Sequence, residues 1–393
     1  MSKFVIVSIL SMKLSPLLLL TLFTTVAKAQ ELPGSRQTVD TLTSSTLWGR
    51  GYTRDGMAKA AQYISHAFEK AGLQPMEGKD FSQHFSYPVN TFPGKMEVAV
   101  NGKKLIPGRD YLIEPSSTGI SGTQIPEVQA DSITFIARKE RLLLILQDKL
   151  TWSVSQKAEN YTAVLVNKKA LSEKPVTVDI SVENKLVPDF NASNICGIVR
   201  GTRQPDSVMM ITAHYDHLGG MGAQTFFPGA NDNASGISLL LELAKYFAAH
   251  PQPYSIGFIC FAGEEAGLLG SRFFTSHPPF PLKNIKFLIN TDMVGTGEKG
   301  ITVVNATIHP QEYTLLNRIN ARHKYLPKIN SRGKAANSDH YPFTELGVPA
   351  FFMYTEGGIS AYHDVYDVAP TLPLNKLKEL YHLLIDFEAA LMN

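Results

Sequence analysis

The chain has 393 residues, 37 basic against 35 acidic side chains, a net charge of +2 and 44% hydrophobic residues. That balance excludes a polybasic nucleic-acid or acidic-membrane binder and leaves a globular protein with a sizeable core. Its two cysteines, Cys196 and Cys260, are too few for a thiolate metal site, so a metal would be held by histidine and carboxylate.

The N-terminus reads as an export signal. Lys3 and Lys13 flank apolar stretches, and Leu17 to Phe23 is nearly continuous hydrophobe. Ala27-Lys28-Ala29 gives a small-x-small cleavage site before Gln30. The apolar core is short for a span, so residues 1–29 predict a cleaved signal, a periplasmic or extracellular protein and no stable membrane anchor. Thr53 to Ala71 predicts a helix, with Thr53 as cap, an apolar stripe of Met57, Ala61, Ile64 and Phe68, and Gly72 as stop. Residues 81–190 read as a β-rich insertion or lid. MEVAV-NG-KKLI predicts a hairpin turning at Asn101-Gly102, and VTVDISVEN alternates at period two.

From Asn194 the pattern changes. NICGIVRG, SVMMITA, SIGFICFA, IKFLINT, GITVVNA and VPAFFMYT read as buried strands. Helices are expected at Gly236 to Ala249, Leu268 to Ser276, Gln311 to His323 and Leu374 to Leu391. Residues 30–80 and 191–393 thus predict an α/β domain, a three-layer sandwich of helices around a mostly parallel mixed sheet. Both cysteines lie in strand-like runs and are expected to be buried thiols rather than a disulfide.

The strand ends carry the chemistry. SVMMITA runs into His214-Tyr215-Asp216-His217, SIGFICFA into Gly263-Glu264-Glu265, IKFLINT into Asp292, and VPAFFMYT into a loop that ends at His363. Asp232, in GANDNASG, precedes a helix. Taken alone, Glu264-Glu265 reads as acids in a first helical turn, favoured by the macrodipole. Several strand ends delivering His, Asp and Glu to one sheet edge point instead to an active site there, with a cation among the carboxylates.

The motifs AHYDHLG, GANDNASG, FAGEEAGLLGS, NTDMVG, SDHYPF and YHDVYD, in that order, resemble the secreted di-zinc exopeptidases typified by bacterial leucyl aminopeptidases and the aminopeptidase Y group. Glutamate carboxypeptidase and glutaminyl cyclase are more distant members of that group. The resemblance implies two co-catalytic zinc ions acting on peptide or protein N-termini. It implies His214 and Asp292 on one ion, Glu265 and His363 on the other, Asp232 bridging both, and Glu264 as general base. Asp216 would accept the second ring proton of His214 and fix its tautomer. His217 is read as facing cleft or solvent, not as a ligand. His340 and Asp339 are expected to line the cleft, and His309 to lie at the surface. Phe226, Phe227, Phe351 and Tyr354 either form an apolar pocket for the first substrate side chain or pack the core. Two other readings are a glutaminyl-cyclase-like acyl transferase and a non-catalytic binding module on the same fold.

Overall fold

The computed structural model describes residues 32–392, and the expected export signal at residues 1–29 lies outside them. Among the described residues no helix is long and apolar enough to cross a membrane. A nine-stranded sheet organises the chain. Its centre is four parallel strands in the spatial order Tyr254–Phe261, Gln204–His214, Ile285–Thr291 and Ala350–Glu356. Lys185–Val199 follows on one side, antiparallel to Tyr254–Phe261, with Gln74–Pro75 and Ser82–Thr91 paired beyond it. On the other side Gly300–Val304 runs antiparallel to Ala350–Glu356 and parallel to Ile329–Ser331.

Period-two alternation makes the layers. Met209, Ile211 and Ala213 face one core, where Gly56–Ala71, Gly236–Ala249, Pro310–His323 and Leu377–Leu391 bury their apolar sides. Val208 and Met210 face the opposite core, which holds Phe274 and Phe343 of the short helices Leu269–Ser276 and His340–Glu345. The same alternation parts the cysteines. Cys260 lies in the first core and Cys196 in the second, and both are free thiols. The mixed, mostly parallel three-layer sandwich is therefore as the apolar runs predict.

The helix expected from Thr53 begins at Gly56, and Thr53 does not cap it. Arg54 and Asp55 both take left-handed backbone (φ 54 and 57), and the entry is fixed by the Met57 N–H donating to the Gly51 carbonyl.

Between the first helices and the main sheet the chain builds two small sheets from strands within residues 96–182. One pairs Met96–Val100 with Lys103–Lys104 through a two-residue turn in which Asn101 and Gly102 both have positive φ, the twist a tight hairpin needs. Ser82–Thr91 lies outside both small sheets and pairs with Lys185–Val199 of the large one. The small sheets share a core of Val98, Tyr111, Leu144, Val164 and Ile180 that continues into Leu218, Met221 and Phe227, on the loops leaving the Gln204–His214 strand.

Candidate metal centre

The four central strands end at one edge, and each hands a polar side chain to the same point. His214 is the last residue of its strand, Asp292 follows Ile285–Thr291, and Glu264-Glu265 follow Tyr254–Phe261. The turn into the glutamates passes through Gly263 at φ 68, where a Cβ would sit 3.1 Å from the Tyr87 hydroxyl. Asp232 comes from the bend that precedes Gly236–Ala249, with a cis peptide to Asn233. His363 closes the loop after Ala350–Glu356 with φ 51, an uncommon conformation for a non-glycine residue.

Asp232 stands between two half-sites. Its Oδ1 is 3.3 Å from His214 Nε2, which is 3.4 Å from Asp292 Oδ1. Its Oδ2 is 3.1 Å from His363 Nε2, which is 3.2 Å from Glu265 Oε2. The ligand atoms of His214, Glu264 and Asp292 lie within 4.8 Å of one another, as do those of His217, Asp232 and Glu265. All the residues singled out from the strand ends thus converge.

The site fits a metal pair on its own chemistry. His214 Nε2 and Asp292 Oδ1 are buried, face one another and have no hydrogen-bond partner. The Nδ1 atoms explain why. His214 Nδ1 donates to the Asp216 carbonyl at 3.1 Å and His363 Nδ1 to the Trp152 carbonyl at 3.0 Å. A carbonyl only accepts, so each Nδ1 carries a proton and Nε2 is the ring atom turned to the carboxylates. Among three carboxylates each Nε2 either keeps a second proton or gives its lone pair to a cation, and a bound cation takes the place of that proton. Two imidazoles and three carboxylates are N and O donors that zinc accepts.

The ionisation of the cluster follows from crowding. Burial disfavours charge on His214, but Asp292, Glu264 and Asp232 outweigh it and hold the imidazole well above its ordinary range. Burial likewise opposes charge on His363, yet Glu265 and Asp232 raise it to about 11. Burial opposes ionisation of Glu265, as does Asp232, but His363 and His217 bring it down to about 2. Its neighbour goes the other way. Burial, with Asp339, Glu265 and Asp292 adding to it against His214, pushes Glu264 well above the carboxylate range. Adjacent glutamates are therefore split into a charged ligand type and a proton-holding type.

Other contacts correct or extend the sequence reading. Asp216 steers His214 through its main-chain carbonyl, because its carboxylate is 3.7 Å from Nδ1. That carboxylate instead accepts the Glu264 and Glu265 backbone N–H groups at 3.1 and 3.3 Å, which sets the glutamate turn. His217 is fully buried, not facing solvent, and its Nδ1 donates to Glu265 Oε1 at 2.7 Å, leaving Oε2 for the His363 side. Its signal in the sequence was its place three residues after His214. Asp367 accepts the N–H groups of Asn231 and Asp232 and so holds the bridging loop. His340 is buried against Phe352, and His309 is half-buried at the surface, edge-on to Phe287. Phe227 stacks on Trp152 and Phe351 packs between Phe287 and Phe387, so both are core and not pocket.

Arg50 had no signal. It is fully buried and donates to the carbonyls of Leu42, Tyr215, Pro228, Gly229 and Asp232, tying the N-terminal segment to both ligand loops. Arg50→Met leaves those carbonyls unpaired and is expected to cost about 3 kcal/mol or more in denaturant unfolding. A loss under about 0.5 kcal/mol, the range of an ordinary surface change, would contradict this role.

Residues 194–387 match the model of peptidase family M28. Over 175 residues, 43% of this chain, the sequence is 35% identical to aminopeptidase YwaD of Bacillus subtilis, and the match spans 37% of that relative's length. The fold is similar to BSAP, a zinc aminopeptidase from Bacillus subtilis, with TM-score 0.68, 21% identity, and coverage of 92% of this chain and 96% of that one. It is also similar to a peptidase M28 precursor from Shewanella amazonensis, with TM-score 0.69, 15% identity, and coverage of 93% and 94%.

Proposed function

The chain is a member of peptidase family M28 through its residues 194–387, and from that membership we propose that it is an exported zinc aminopeptidase that removes residues from peptide N-termini. The observation that carries the two-ion reading is the split of Asp232, one oxygen toward His214 and the other toward His363. His214 and Asp292 would hold one zinc, Glu265 and His363 the other, and Asp232 both. Relatives named aminopeptidase and zinc metalloprotease support the choice of metal and of peptide substrate. Residues 1–29, with their small-x-small site, support export.

Bound zinc would supply Lewis acidity, polarising the scissile carbonyl and making a water acidic enough to attack near neutral pH. The chain's own residues do the rest. Glu264 takes a proton from the attacking water at a carboxylate oxygen and delivers it to the leaving amine. Asp216 keeps the Glu264 main chain in place, and His217 keeps Glu265 turned so that only Oε2 faces the His363 half.

The test is a library of peptides with free and acetylated N-termini, incubated with zinc-loaded mature protein and read by mass spectrometry. Free N-terminal amino acids from the unblocked set only are expected. Pyroglutamate from N-terminal glutamine peptides would favour acyl transfer, and no product from any peptide would leave a binding module.

A further inference from the structure

We propose that the 149–156 arm of the β-rich insertion is a built-in part of one half of the metal centre, with Trp152 as the positioning residue that fixes the ligand tautomer of His363. The inference rests on the zinc reading above for the identity of the ion.

The two histidines that reach Asp232 are oriented by different means. His214 is held by the carbonyl of Asp216, two residues along its own loop. His363 is held by the carbonyl of Trp152, which is 211 residues away in the chain. The Trp152 contact is reciprocal, since its N–H donates to the His363 carbonyl at 2.8 Å while His363 Nδ1 donates back at 3.0 Å. This pair of bonds clamps both the ring and the left-handed main chain of a residue at φ 51. Left to its own loop, a non-glycine residue has little reason to keep that conformation.

The arm has no helix or strand of its own from residue 150 to 155, so its position comes from contacts with other segments, among them the Asn90 N–H donating to the Ser155 carbonyl at 2.8 Å. The Trp152 indole is buried and stacks on Phe227 at 4.7 Å, and its Nε1 donates to the Ile113 carbonyl at 2.7 Å. Lys149 Nζ donates to the Ser360 carbonyl at 3.1 Å, three residues before His363. Gln156 Nε2 donates to the Ala266 carbonyl at 2.8 Å, next to Glu265. The arm therefore touches the loops of His363 and Glu265, which form one half-site. The Phe227 stack meets the chain between His214 and Asp232, but the arm's hydrogen bonds to ligand loops go to those of His363 and Glu265 and not to those of His214 or Asp292. Outer partners that fix a ligand histidine typically carry about 10–100-fold in metal affinity. The insertion's contribution should fall on one ion and not on the other.

The experiment titrates zinc into metal-free protein against a competing chromophoric chelator, for wild type and Trp152→Ala. Wild type is expected to take up two ions. Trp152→Ala is expected to bind one as wild type does and the other about 10-fold or more weakly. Equal affinities in the two proteins, or both sites weakened alike, overturn the proposal. If Trp152→Ala does not fold, the double variant Lys149→Ala/Gln156→Ala decides by the same criteria, because it removes the arm's outer anchors and leaves the indole packed. Uptake of no zinc by wild type would overturn the metal reading and this inference with it. Two ions in wild type with an unchanged Trp152→Ala overturn this inference alone.

Discussion

Glu264→Gln is expected to lower kcat by about 100-fold or more, close to 3 kcal/mol of barrier, while zinc content stays at the wild-type level. Glutamine has the shape of glutamate and leaves the backbone N–H of residue 264 on Asp216. What it loses is the ability to accept a proton and give it back. Without bound zinc, burial and the carboxylates of Asp339, Glu265 and Asp292 raise Glu264 well above the ordinary range; two dications beside it would oppose that shift and leave it ionised to accept the proton. Glutamine is neutral and of the same shape, so it adds no repulsion to that crowd and the thermal midpoint should not fall. Turnover within about threefold of wild type would remove Glu264 from the proton-transfer role. Loss of zinc in this variant would make it a ligand instead.

Asp232→Ala is expected to empty both half-sites, with affinity losses larger than the about 10–100-fold typical of outer partners. Each oxygen of Asp232 serves a different histidine, so neither half is complete without it. The loop itself should survive, because its anchors are main-chain groups. Asp367 accepts the residue 231 and 232 N–H groups, and Arg50 donates to the residue 232 carbonyl. Circular dichroism should therefore match wild type while elemental analysis shows zinc below one equivalent. Full occupancy in folded Asp232→Ala would exclude a bridging carboxylate at this position.

Much of the fold and of the site can be read from the chain because both rest on local signals. Near-continuous apolar runs such as Ile285–Thr291 mark central strands, and the residue after each run is fixed at the active edge by topology. His214, Asp292 and the glutamate pair are legible for that reason. Roles set by distant contacts are not. Arg50 and Trp152 act on the ligand loops from 165 to 211 residues away, and no periodicity records such a contact. The orientation of His217 depends on Glu265, 48 residues on. Sequence leaves pocket and core equally open for the aromatic residues near the site, and Phe227 and Phe351 are consumed by packing between layers. Spacing and the HYD motif pair the Asp216 carboxylate with His214, whereas two backbone N–H groups from the neighbouring strand end claim it. Residue spacing specifies which groups reach the edge. The pairing among them is decided by side-chain geometry across strands.

In the proposed centre one carboxylate, Asp232, joins two zinc half-sites of different build. This arrangement is tested most directly by anomalous X-ray scattering at the zinc edge from crystals of the zinc-loaded protein. Two peaks are predicted, one among His214, Asp292 and Asp232 and one among His363, Glu265 and Asp232. A single peak, or a peak remote from Asp232, would contradict it.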